Sequence, residues 1–213
     1  ITPGNHELDN GLDSLAHYYR NIKKAKILSA NYDMSGTKLA GVMWPWAVKA
    51  YGDKRVGFFA VNVNPHGMIV DKNYAGMRYL RSDSVADATA KYLKTVQKVD
   101  YVVMISHIGY TSMDPKEPND SLIVAKSHYI DMVVGGHSHT VINPGTAKSL
   151  VANADGKKVV IGQNGKFGKY VGKYDLDLES GNVSYELVTI DKSLDAGVNY
   201  PALSAWLAKY KAK

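Results

Sequence analysis

A chain of 213 residues that is 45% hydrophobic can bury one substantial core, so a single globular unit is expected. It contains no cysteine, which excludes disulfides, zinc–thiolate centres and thiol nucleophiles and leaves nitrogen and oxygen as the only donors for a metal. The net charge of +6 arises from lysines scattered along the whole chain without a nucleic-acid-binding signature, and no apolar run approaches the roughly 20 residues of a membrane span. A soluble protein with a solvated basic surface and no nucleic-acid partner is therefore expected.

The first predicted element is a helix over 10–24, with Leu12, Leu15, Tyr19 and Ile22 at helical spacing and Asn10 as its N-cap. "AKILSANYD" reads as one short buried strand, and "WAVKAY" and "RVGFFAVNV" as a hairpin around Gly52-Asp53. A second helix is predicted over 84–98, capped by Asp83 or Ser84, with Val85, Leu93 and Val96 on its apolar face. "YVVMIS", a helix over 119–129 and "IDMVV" then form a strand, crossover helix, strand unit whose two strands should be parallel neighbours. From 148 onward, short strands joined by "ADGK" and "ESGN" turns predict an antiparallel meander, followed by a terminal helix over 203–213.

Three polar clusters stand at the ends of predicted strands: "GNHELD" at 4–9, "SHIG" at 106–109 and "GGHSHT" at 135–140. Ligands in α/β sheets gather at the C-terminal strand edge, where loops converge on a rigid support. If strands 101–106 and 131–134 are parallel neighbours, His107 and His137 project from the same edge about one strand spacing apart. Without thiolates, such imidazoles suit zinc, manganese or iron. His17, His66 and His128 are read as ordinary helix or turn residues. His6, His107, His137 and His139, each in a loop leaving a strand beside glycine or another small residue, are harder to explain by packing. Asp9 lies where it could orient the His6 ring or meet a helix N-terminus, and Gly4 and Gly136 suggest sharp turns.

In that order the three motifs resemble the calcineurin-like metallophosphoesterases, and more narrowly the catalytic domain of the 5'-nucleotidases and UDP-sugar hydrolases. "GQNGKFGKYVG" at 162–172 looks like the segment that follows the last metal motif of that group. The resemblance implies an α/β fold, a layered αββα sandwich of mixed sheets. It implies two divalent ions (Zn, Mn or Fe), with Asn5, His107 and His137 on the second and His139 on the first. It also implies a His6–Asp9 catalytic dyad. The chemistry implied is attack on phosphorus by a hydroxide shared between the ions, on a nucleotide monoester or a UDP-sugar. A periplasmic, cell-surface or secreted location follows from the same resemblance.

Two upstream motifs of that family, an Asp-x-His and a Gly-Asp bearing the bridging carboxylate, have no counterpart here. The one Gly-Asp pair, Gly52-Asp53, falls in the predicted hairpin turn. The expectation is that residues 1–213 are the later part of a longer catalytic domain, incomplete at its N-terminal side. Activity would then be conditional on that portion, which could act as a partner chain. The alternative is a non-catalytic scaffold that binds a phosphate ligand or a partner.

Overall fold

The computed structural model describes residues 1–112 and 114–191, with Pro201, Ser204, Ala208 and Lys209 beyond them. The terminal helix expected at 203–213 lies for the most part outside the described residues. The elements in chain order are α1 (Gly11–Arg20), β1 (Ile27–Leu28), β2 (Tyr32–Asp33), β3 (Met43–Trp44), β4 (Trp46–Tyr51), β5 (Lys54–Asn62) and β6 (Arg78–Tyr79). They continue with α2 (Ser82–Thr95), β7 (Tyr101–His107), α3 (Asp120–Lys126), β8 (Met132–Val134), β9 (Leu150–Ala152), β10 (Lys158–Gly162), β11 (Tyr170–Leu176) and β12 (Val183–Thr189).

A six-stranded mixed sheet in the order β4-β5-β7-β8-β10-β9 organises the molecule. The hairpin β4–β5 is antiparallel as expected, while β5, β7, β8 and β10 run parallel and β9 returns antiparallel on β10. The predicted strand, helix, strand unit is therefore present, with Ile105 opposite Val134. Alternation along these strands divides the apolar side chains between two layers. Phe59, Val61, Val102, Met104, Val133, Val159 and Ile161 pack with Ala86, Ala90 and Leu93 of α2 and Ile123 and Val124 of α3. On the opposite face Val56, Val103 and Met132 meet Tyr174, Leu176 and Val183 of the β11–β12 hairpin. Leu12, Leu15, Ala16 and Tyr19 of α1 join Tyr32, Leu39 and Ile69 in a separate cluster.

Several expectations give way to tertiary contacts. "AKILSANYD" is two strands, because Ser29 Oγ donates to Asn62 Oδ1 (2.7 Å) and the Asn31 amide bonds the Asn62 main chain in both directions, replacing a ladder. The meander is not one sheet: β9 and β10 enter the central sheet beside β8, and among the described residues β11 pairs only with β12. Helix α1 ends at Arg20, and Asn10 sits at its N-cap without a side-chain capping bond. Helix α2 starts at Ser82 with Arg81 at its N-cap, so neither Asp83 nor Ser84 caps it. Of its predicted apolar face Leu93 is fully buried, whereas Val96, just past the helix end, is 58% exposed. Helix α3 is capped by Asn119, whose Oδ1 accepts from Leu122 N at 3.1 Å, and stops before His128.

Candidate functional site

The last residue of β7 is His107, paired in register with the last residue of β5, Asn62. Asn62 is fully buried and its amide donates to Pro3 O and to Thr2 Oγ1 (3.0 Å), which clamps the segment entering "GNHELD" onto the sheet edge. Gly4 N–H then donates to Glu7 Oε2 (2.5 Å), and His6–Leu8 forms a 3-10 turn pinned by the buried Leu8. From β8 the chain passes through Gly135 and Gly136 into a loop in which His137 (φ +77°) and His139 (φ +54°) both adopt the left-handed region. That conformation is uncommon for residues other than glycine.

These three segments converge. Asn5 Oδ1 lies 3.1 Å from His107 Nε2 and 3.2 Å from His137 Nδ1, and the two imidazole centroids are 5.2 Å apart. Gly4 and Gly136 have ordinary negative φ; their small size is used for close approach rather than for a sharp turn. A Cβ on Gly4 would stand 2.7 Å from His107 Cε1 and Nε2, and one on Gly136 would stand 3.1 Å from His107 Nδ1, so the ring is held between two glycines.

Electrostatics keep this cluster neutral. Burial, and then the charges of His137, His6 and His139, push His107 down to about 4. Burial followed by His139 and His6 lowers His137. Both rings are therefore unprotonated near neutral pH, the state a metal ligand requires. Beside them His6 Nδ1 and Asp9 Oδ2 form a 2.8 Å pair that is largely open to solvent. His139, exposed on its loop, influences His107 and His137 through its charge.

Ligand atoms about 2.1 Å from a shared ion, at right or tetrahedral angles, stand about 3.0–3.4 Å apart, and Asn5 Oδ1 stands at that spacing from His107 Nε2 and from His137 Nδ1. These residues do not make a two-ion centre: among the described residues no three His, Asp or Glu side chains are grouped to hold a metal.

Sequence reasoning passed over three features of the site. His66, read as an ordinary turn residue, lines a cleft of about 680 Å³ beside His137, together with Val63, Asn64, Tyr79, Ile108 and Glu117. Asp120 is wholly buried behind the edge, where Ser106 Oγ donates to Oδ1 and Oδ2 has no partner among the described residues. Gln163, inside a segment noted only for its resemblance, bonds the 136–140 loop. Of the other histidines, His17 sits on exposed α1 surface and His128 pairs with Asp155 (2.9 Å), away from the cluster.

The fold is that of a calcineurin-like phosphoesterase from Bacillus subtilis, which matches with a TM-score of 0.66 at 20% identity over 93% of this chain and 64% of that one. More narrowly, the chain is similar to 5'-nucleotidases. It is 30% identical to human 5'-nucleotidase over 196 residues, 84% of this chain and 32% of the human protein. It also superposes on a 5'-nucleotidase precursor from Thermus thermophilus with a TM-score of 0.72 at 26% identity, covering 89% of this chain and 38% of that one. The chain thus spans about a third of the length of the curated relatives it matches. No family model matches. Among the described residues no helix is long and apolar enough to cross a membrane.

Proposed function

We propose that the chain carries the metal-binding and acid–base part of a phosphoesterase of 5'-nucleotidase type, acting on nucleotide monoesters or UDP-sugars. The observation that carries this reading is the convergence of Asn5, His107 and His137, drawn from three separate segments, with Asn5 Oδ1 3.1 Å and 3.2 Å from the facing imidazole nitrogens. These residues would hold a divalent ion, which when bound would neutralise charge on the phosphoryl group. Asp9 accepts from His6 Nδ1, fixing the tautomer and the orientation of the ring so that Nε2 faces outward. In its protonated form that nitrogen donates to the leaving oxygen. The cleft lined by Val63, Tyr79 and Ile108 gives the organic half of the ester an apolar floor. Export to the periplasm or cell surface belongs to the same proposal and is checked by cell fractionation.

The deciding experiment combines metal content with turnover. After exposure to Zn²⁺ or Mn²⁺ and removal of excess, the protein should retain at least one ion per chain and release phosphate from nucleoside monophosphates, or UMP and a sugar 1-phosphate from UDP-sugars. Neither ion retained and neither substrate hydrolysed refutes the proposal. That outcome would support the second reading, a non-catalytic scaffold, for which the relevant observation is that among the described residues no three His, Asp or Glu side chains are grouped to hold a metal. A second ion, if retained, would need donors beyond that cluster, such as a separate N-terminal chain supplied in trans.

A further inference from the structure

We propose that Gln163 is the positioning residue of the histidine loop, presenting His137 and His139 by fastening the residues between and around them. The inference rests on the proposed function only in what the loop would hold; the loop geometry stands independently.

Gln163 follows β10 directly and is 1% exposed. Its Oε1 accepts from Thr140 N–H (2.6 Å) and from Ser138 Oγ (3.0 Å), and its Nε2 donates to Gly136 O (2.8 Å). The amide orientation is fixed by chemistry, because Thr140 N–H requires an acceptor and Gly136 O requires a donor. One buried side chain thus binds residues 136, 138 and 140, the alternate positions that bracket His137 and His139. Main-chain bonds close the loop on both sides, from Gly135 N to Gly162 O (2.8 Å), Ile142 N to Gln163 O (3.0 Å) and Gly165 N to Thr140 O (3.0 Å). Ser138 Oγ is further tied to Tyr110 N (3.1 Å) and Thr140 Oγ1 (2.8 Å).

A loop this short would not hold two non-glycine residues in the left-handed region unaided, since that backbone is disfavoured for side chains with a Cβ. The amide offsets the strain with buried hydrogen bonds whose loss would leave Thr140 N–H unsatisfied and Gly136 O with Ser138 N–H alone. His137 is thereby aimed at Asn5, and His139 is set on the same side of the sheet edge.

The test uses Gln163→Met, which keeps length and burial but removes all three bonds, with Ser138→Ala removing one of them. Two readouts separate positioning from mere stability: NMR backbone couplings and Cα shifts at 137 and 139, which report the left-handed conformation without metal, and Zn²⁺ affinity by calorimetry with the metal alone. In Gln163→Met the left-handed signature should be lost at both histidines. Zn²⁺ affinity should fall about 10- to 100-fold, the usual effect of removing an outer support of a metal ligand. Ser138→Ala should lose about threefold in the same direction. Retention of the left-handed signature in Gln163→Met, or a Zn²⁺ affinity within twofold of the parent, overturns the proposal. If Gln163→Met does not fold, Ser138→Ala decides by the same criteria. If the parent binds no Zn²⁺, the couplings alone judge the role of Gln163, and the metallophosphoesterase reading is judged by its own experiment with Mn²⁺ and turnover.

Discussion

Asp120→Asn should make the protein more stable above neutral pH and leave it nearly unchanged in mild acid. Asp120 is wholly buried, one oxygen accepts from Ser106, and the other has no partner among the described residues. Burial raises its carboxyl from 3.8 to about 7, against a smaller opposing effect of the Ser106 hydrogen bond. The sign follows from proton counting. Between about pH 4 and pH 7 the folded state keeps this proton while the unfolded state has lost it, so the associated stability is fully present below pH 4, declines as pH rises, and is gone above pH 7. From pH 5 to pH 8 the protein crosses about two pH units of that window, equivalent to about 3 kcal/mol. Asparagine keeps an acceptor for Ser106 and carries no charge, so it escapes the decline. Urea unfolding of parent and variant at pH 5 and pH 8 isolates this group, because all other titrations are shared. The variant's advantage should open by about 2–3 kcal/mol between the two conditions. Parallel stabilities at both pH values would show that Asp120 is not a buried proton holder and would refute the reasoning.

Gly4→Ala should displace the His107 ring, since the added methyl would lie 2.7 Å from two of its atoms, and Zn²⁺ affinity measured by calorimetry should fall at least about tenfold. His6→Ala should lower turnover by about 10²–10⁴-fold with metal content preserved, because the side chain is 78% exposed and makes its hydrogen bond to Asp9 outside the donor cluster. His107→Ala should lose the metal itself; equal metal loss in both variants would overturn the division of roles.

Much of the fold was legible because its signals are local. Short apolar runs bounded by turns marked β5, β7 and β8, and parallel pairing of β7 with β8 followed from the short helical crossover between them. That topology alone was enough to place His107 and His137 at one sheet edge. What escaped depends on partners distant in sequence. Asn62 breaks a strand at 29–31 and grips Pro3, 59 residues away. The glycines at 4 and 136 read as turn formers, yet their small size serves a ring at 107. Val96 matched a helical stripe but falls beyond the end of α2, where it is 58% exposed. Gln163 carries no periodicity or motif chemistry, and only the loop folded over it makes its amide a clasp.

The sequence by itself determined which residues could do chemistry and the order in which the chain presents them, because donor type and strand period are properties of short segments. The tertiary structure decided which of them meet: Asn5 reaches His107 and His137 only because burial of an asparagine, two glycines and a glutamine amide holds three distant segments within one hydrogen-bond length of each other.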